Sequence, residues 1–160
     1  MSNKKILIPL TFIPIIIGYL INRTIMLPHI GILLFYVLPF IVLIFWYWLG
    51  RQYAKTNWKP ISAILIGNMT GALSLAMYFW QFVFTNDESR SSFFAVLSQM
   101  FSAAVPTYLF GRIAMLFETQ PNYAGRTTMV VMQIMAVMLM IIIFSVGYFK
   151  EKKHNQYNSN

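Results

Sequence analysis

Three carboxamide side chains, each in a different long apolar stretch of this sequence, are candidates for a polar site inside a helix bundle. They are Asn68, Gln99 and Gln133, and each belongs to a different apolar segment. A carboxamide buried in an apolar medium is costly unless it finds a hydrogen-bonding partner. If the three side chains converge, they form an uncharged polar lining for a small solute. One alternative is that each carboxamide hydrogen-bonds to a neighbouring helix. Another is that Gln99 and Gln133 lie closer to the membrane interfaces, where water satisfies them.

A stripe of small residues lies next to the first of these carboxamides. Ala63, Gly67 and Gly71 recur every four residues and therefore share one face of a helix. Small residues at this spacing let another helix approach closely in a membrane. The stripe predicts helix packing, either against another segment of the same chain or against a second copy of it.

Groups that usually carry catalysis or bind metals are scarce. The sequence has no cysteine, and it contains no metalloprotease, nucleophile-elbow or phosphate-loop motif. Methionines recur at Met129, Met132, Met135 and Met138; thioethers can bind copper(I), but in an apolar helix they typically serve packing. We therefore expect a protein that is not an enzyme and that has no cofactor and no metal site.

The elements that carry these residues are apolar helices. The chain of 160 residues is 58% hydrophobic and 10% charged, with a mean hydropathy of +0.62. Soluble domains have about 25% charged residues. This composition excludes a soluble globular enzyme and favours an all-α integral membrane protein. The net charge of +8 is assigned to basic residues that flank membrane spans, and not to nucleic-acid binding.

Five apolar runs of helical length predict a bundle of about five transmembrane helices with short loops, in one domain over residues 1–149. A polar, mobile tail is expected over residues 150–160. A signal peptide is the alternative for the first run, and Pro14, Pro39 and Pro106 are expected to kink their helices. The predicted spans are residues 6–21, 30–49, 61–84, 93–111 and 129–149.

Aromatic and basic residues mark the expected membrane interfaces. Trp46, Tyr47 and Trp48 end the second span, and Arg112 follows the fourth. Both residue classes anchor helices at the headgroup level. Five spans would place the two termini on opposite faces. The basic loop after the second span predicts a cytoplasmic N-terminus and an external C-terminus in the cell membrane.

The sequence favours a non-enzymatic accessory, regulatory or self-associating subunit that acts through helix contacts. Its expected partners are the lipid bilayer and another membrane protein or a second copy of the chain. The alternative is a component of a transporter or channel for a neutral or weakly polar solute, which would use the carboxamides. No Asp, Glu, Lys or His lies in the middle of a predicted span, which disfavours proton-coupled transport.

Overall fold

The computed structural model describes residues 4–118 and 123–157, and within these ranges the chain is helical without strands. Three helices are long and apolar enough to cross a membrane, or up to five if each of two bent pairs counts as one span. The α-helices are α1 (Lys4–Leu10), α2 (Ile13–Thr24), α3 (Ile30–Ala54), α4 (Pro60–Gly67), α5 (Met69–Tyr78), α6 (Ser92–Ala103), α7 (Gly111–Met115) and α8 (Arg126–Tyr157).

The parallel pair α3 and α8 forms the most extensive helix contact in the bundle. Two glycines allow the close approach: a Cβ atom at Gly50 would overlap the carbonyl oxygen of Phe144, and one at Gly147 would overlap that of Tyr47. Residue numbers increase together along the two helices, so both helices run in the same direction. We call their C-terminal ends the lysine end of the bundle and their N-terminal ends the arginine end.

Aromatic side chains fill the core between these helices. The indole of Trp46 is fully buried and lies edge-on to Phe101, with the ring of Phe144 on another side. Its Nε1 donates a hydrogen bond of 2.9 Å to Oδ1 of Asn68. Trp46 is therefore a core residue and not the interface anchor that the sequence predicts. Tyr47 is half-buried and Trp48 is exposed, so their predicted interfacial role is compatible with their positions.

The stripe of small residues packs inside the chain. Ala63 is fully buried, and added Cβ atoms at Gly67 and Gly71 would meet the rings of Phe144 and Phe101. In the structure the stripe therefore packs against other segments of the same chain, which is one of the two interpretations, the other being packing against a second copy.

The segment predicted as one helix over residues 61–84 is interrupted. Helices α4 and α5 meet at Asn68, where the axis bends by 52°. Beyond α5 the chain continues as a wider π-helical turn over Phe79–Phe84. Pro39, in contrast, lies within the unbroken helix α3.

The segment predicted as one helix over residues 93–111 turns back. Helix α6 runs antiparallel to α5. Two hydrogen bonds show this direction, since residue numbers rise along one segment as they fall along the other: Ser74 Oγ donates to the carbonyl of Ser98, and Gln81 Oε1 accepts from the amide of Ser91. After Ala103 the chain bends by 83°. The chain then runs back over residues 107–118, which we call the return segment. In this segment the hydroxyl of Tyr108 contacts the carbonyl of Tyr36 near the start of α3.

The return segment ends beside the start of α8. Oε1 of Glu118 accepts a hydrogen bond of 2.7 Å from the amide of Thr128. Residues 92–118 therefore begin and end at the arginine end of the bundle. Pro106 gives a physical reason for the bend, because proline cannot donate the backbone hydrogen bond that would continue the helix.

Helix α8 extends beyond the predicted last span. It continues without a break through residues that the sequence assigns to the polar tail, as far as Tyr157. Glu151 is only 5% exposed and pairs with Arg51 at 2.7 Å and with Lys55 at 3.4 Å. These ion pairs join the C-terminal ends of α3 and α8. Residues 158–160 of the predicted tail lie outside the described residues.

The glycine contacts of the α3–α8 pair give the first prediction. Gly147→Ala is expected to lower the unfolding temperature in detergent, because the carbonyl of Tyr47 belongs to a helix backbone and cannot move aside alone. Overpacking of this kind costs about 1–3 kcal/mol.

The matched control is Gly111→Ala, since nothing lies within 4 Å of a Cβ atom at Gly111. Alanine there should leave the unfolding temperature unchanged or raise it slightly. Equal unfolding temperatures for the two variants would contradict the proposed role of Gly147.

Candidate functional site

Two adjoining cavities lie at the arginine end of the bundle. The mouth cavity has a volume of about 520 Å³ and the inner cavity one of about 200 Å³. Both cavities are lined by Gln99, Met129 and Gln133. The two cavities therefore adjoin, and the inner cavity lies nearer the bend after Ala103. Ser102, Ala103 and Thr107, on either side of that bend, line the inner cavity. The volume of the mouth cavity lies within the range that is typical of small-molecule sites.

Gln133 is the carboxamide that faces this space without a partner. It is 9% exposed, and no hydrogen bond joins it to a described residue. Its amide group therefore borders the cavities, with donors and an acceptor that a solute or water can satisfy. Gln99, on α6, is exposed toward the same two cavities. The structure thus brings together two of the three carboxamides that the sequence selects as a polar lining.

Asn68 lies elsewhere and lines neither cavity. Its Oδ1 accepts from Trp46, and its Nδ2 donates to the carbonyl of Ile64 at 2.9 Å. Both halves of the carboxamide are therefore paired at the break between α4 and α5. Asn68 makes the helix-to-helix hydrogen bond that is the alternative interpretation, and it has no place in the polar lining.

Arg90 is fixed at the mouth cavity by three contacts. Its Nε donates to the carbonyl of Gln81 at 2.9 Å, its NH2 group pairs with Asp87, and its guanidinium lies 4.7 Å from the ring centroid of Phe82. The ring of Phe82 is stacked on that of Tyr78, with centroids 4.6 Å apart. This arrangement holds a cation beside the opening.

Gln81 positions the loop that carries Arg90, whereas the sequence suggested only that its side chain could meet other polar groups inside the bundle. It is 1% exposed. Its side-chain Oε1 accepts a hydrogen bond from the backbone amide of Ser91, and its backbone carbonyl accepts one from Nε of Arg90. Gln81 lies in the π-helical turn Phe79–Phe84, close to its end, where backbone carbonyls have no partner within the helix. Such turns are frequent at functional sites. A glutamine near the end of an apolar run was the available signal.

Arg126 is the second cation that lines the mouth cavity. It is the first residue of α8, whose first turn contains no acidic residue. A cation at this position is unfavourable for the helix, because the N-terminal end carries the positive pole of the helix dipole. The described residues make no hydrogen bond or ion pair with Arg126.

Glu118 caps the start of α8 from outside the helix. Its Oε1 accepts the amide of Thr128 at 2.7 Å and the hydroxyl of Thr128 at 2.9 Å. The backbone hydrogen bond from Thr128 holds the pKa of the Glu118 carboxyl below its ordinary value. Arg112, the predicted interface residue on α7, is exposed, and the ion pairs found in the described residues do not join it to Glu118.

Metal ligands do not cluster in the described part of the chain: no group of three or more His, Asp or Glu side chains could hold an ion there. Met129 and Met132 border the inner cavity, whereas Met138 is exposed on the surface of α8. The methionines therefore do not form one converging set.

Comparison of the chain with protein-family models, with curated proteins and with solved structures finds no match. The fold and composition define an all-helical protein with three to five candidate membrane-spanning helices.

The cap on α8 gives a prediction about pH. A carboxyl whose pKa is lowered on folding stabilises the folded state above its unfolded pKa, and this stabilisation is lost as the pH falls through the folded pKa. Glu118→Gln should therefore lower the unfolding temperature at pH 7. The difference from the wild type should shrink as the pH is lowered from about 6 to 3.

The matched control is Glu88→Gln, which removes an exposed carboxylate from the short turn Asp87–Ser89. Its effect on the unfolding temperature should be small throughout this range. A Glu118→Gln effect of constant size at every pH would contradict the charged cap.

Proposed function

We propose that the protein is a multi-pass membrane protein that binds a small polar solute in the mouth and inner cavities and is not an enzyme. The observation that carries this proposal is Gln133, which is nine-tenths buried and faces both cavities without a described hydrogen-bonding partner. Polar side chains that line a cavity between apolar helices are a feature of transporter sites. The transport alternative inferred from the sequence is thereby favoured.

The proposed threading has four spans and one re-entrant hairpin. Helix α6 has 12 residues and a length of about 18 Å, too short for a hydrocarbon core of about 30 Å. Residues 92–118 return to the end at which they began, and α8 then crosses in the direction of α3. The four spans are then Lys5–Thr24, Ile30–Ala54, Pro60–Phe84 and Arg126–Tyr157, each an apolar helix or bent helix pair.

The bend of the hairpin satisfies the main physical requirement for irregular backbone inside a membrane. Such backbone is tolerated where it is buried in protein or lines a water-filled cavity. Ala104 and Val105 are at most 1% exposed. Ala103 and Thr107, on either side of them, border the inner cavity.

The distribution of charge supports a cytoplasmic lysine end. Eight of the twelve Lys and Arg residues belong to that end, and the arginine end has four. Cytoplasmic loops carry the excess of basic residues. This threading keeps the N-terminus in the cytoplasm, as expected from the sequence, and it moves the C-terminus to the same side. The lysine end has Lys4, Lys5, Arg51, Lys55, Lys59, Lys150, Lys152 and Lys153; the other has Arg23, Arg90, Arg112 and Arg126.

The accessory or self-associating role favoured by the sequence was based on the stripe Ala63, Gly67 and Gly71, on the absence of catalytic groups and on the lack of a sizeable soluble domain. In the structure Ala63 is buried, and Gly67 and Gly71 lie against Phe144 and Phe101 of the same chain. A partner that binds through helix contacts would have to use another face.

The threading can be tested by cysteine labelling, because the wild-type chain has no cysteine. Single variants Ser89→Cys and Ala124→Cys should react with a membrane-impermeant maleimide from the same side of sealed vesicles. Asn57→Cys and Asn155→Cys should react only from the other side. All four positions are exposed.

A five-span arrangement makes a different prediction for the same variants. It places residues 89 and 124 on opposite sides, and likewise residues 57 and 155. Labelling of Ser89→Cys and Ala124→Cys from opposite sides would overturn the hairpin.

The polar cavity can be tested by the reactivity of a buried cysteine. A thiol reacts with a charged methanethiosulfonate only as the thiolate and only where water carries the reagent to it. Gln133→Cys should therefore be modified from the arginine end. Ile142→Cys, on the exposed surface of the same helix, should stay unreactive in a bilayer because it faces lipid.

Ser102→Cys is a second reporter, since Ser102 lines the inner cavity and the substitution is nearly isosteric. Folding of each variant is checked by a monodisperse elution profile. If neither reporter reacts in folded protein, the proposed aqueous cavity does not exist.

A further inference from the structure

We propose that the mouth cavity selects a water-borne solute with an oxyanion group, such as a carboxylate or a phosphate, and that Arg126 binds this group. The inference rests on the proposed function and specifies its ligand, because the sequence alone predicts a neutral or weakly polar solute. Four observations on the lining residues carry it.

The first observation is the balance of charge in the lining. The mouth cavity has two cations, Arg90 and Arg126, and one anion, Asp87. Asp87 pairs with Arg90, which also has contacts to Gln81 and Phe82. Within the lining, therefore, no acidic residue forms an ion pair with Arg126. Arg126 is exposed at this opening, and an excess of positive charge in a cleft raises the local concentration of anions.

The second observation is the position of Arg126 on the first turn of α8. The positive pole of the helix dipole adds to the arginine charge there. Glu118 offsets part of this potential, but its carboxylate is bonded to Thr128 and does not line the mouth cavity. An arginine at an electrostatically unfavourable helix position is explained if it binds an anionic ligand.

The third observation is the type of cation. The cations at the arginine end are all arginines, whereas the seven lysines belong to the other end. The guanidinium group presents paired donors that match the two oxygens of a carboxylate or phosphate, which an ammonium group cannot do. This chemistry favours an oxyanion over a halide ion.

The fourth observation sets the size of the solute. Arg126 and Gln133 are seven residues apart on one helix, so they lie on the same face with a rise of about 10 Å between them. A solute whose oxyanion group contacts Arg126 can therefore place a hydrogen-bonding group near Gln133 and Gln99. Small organic acids with a polar body have this length.

The test compares two reagents of opposite charge on the Gln133→Cys protein in phosphatidylcholine nanodiscs. The probes are 2-sulfonatoethyl and 2-trimethylammonioethyl methanethiosulfonate, and in each case the thiolate displaces methanesulfinate to form a mixed disulfide. The sulfonate-to-ammonium rate ratio, relative to that of a free thiol, is expected to be raised about tenfold. Adding Arg126→Gln should remove most of this preference.

The control for the second change is Arg112→Gln, which removes an exposed arginine at the same end of the bundle from outside the cavities. It should leave the rate ratio unchanged. Ser102→Cys repeats the measurement if Gln133→Cys does not fold.

The outcomes separate this inference from the proposed function. Absence of reaction with both probes removes the aqueous cavity and the proposal with it. Reaction with both probes at the free-thiol ratio, or a ratio that Arg126→Gln does not change, keeps the cavity and overturns the oxyanion site.

A lipid headgroup could supply the same phosphate chemistry, and a detergent arm distinguishes the two sources. Protein freed of phospholipid should show the same rate ratio as protein in nanodiscs if the site is open to water-borne solutes. A sulfonate reaction that is fast in detergent and slow only in nanodiscs would mean that lipid phosphate occupies the site, and would overturn the proposal of a water-borne solute.

Discussion

The parallel packing of α3 and α8 is the constraint on which the rest of the fold depends. Gly50 and Gly147 bring the two backbones together at a distance that no larger residue allows, and the pairs of Glu151 with Arg51 and Lys55 join the same ends. Two parallel helices need an odd number of crossings in the chain that connects them. The bent segment α4–α5 supplies one crossing, so the rest of the connection can add only an even number. Residues 92–118 must therefore return to the end from which they started.

Hydropathy predicts apolar helices well and says nothing about their direction. The starts of the second and third predicted spans lie at or next to the first residues of α3 and α4, because apolar runs and Pro60 mark them in the sequence. The reversal after Ala103 has no comparable signal. Pro106 predicts a bend but not its angle of 83°, and the helices that contact the segment after the bend, α3 and α8, are distant in sequence. Gly50 and Gly147 were equally hard to foresee, since two single glycines on different helices form no local pattern.

The carboxamides show why the site was only partly predictable. Asn68 and Gln133 have the same chemistry and lie in equally apolar stretches. The difference is the neighbour that the fold supplies: Trp46 offers an indole donor to Asn68, while Gln133 faces open space between α6 and α8. The sequence identifies which residues need a partner, and only the packing decides which of them keeps a free amide. The same limit applies to Trp46, whose aromatic neighbours Tyr47 and Trp48 suggested an interface.

Charge and topology support each other through the hairpin. With five crossings, the basic residues of the C-terminal end would lie opposite the basic loop after α3, and the difference between the two faces would be small. The return of residues 92–118 brings these groups together and leaves only arginines at the other end. The hairpin also brings Gln99 to the face of α8 that carries Gln133 and Arg126. The reversal thus also supplies Ser102, Ala103 and Thr107 to the lining of the inner cavity.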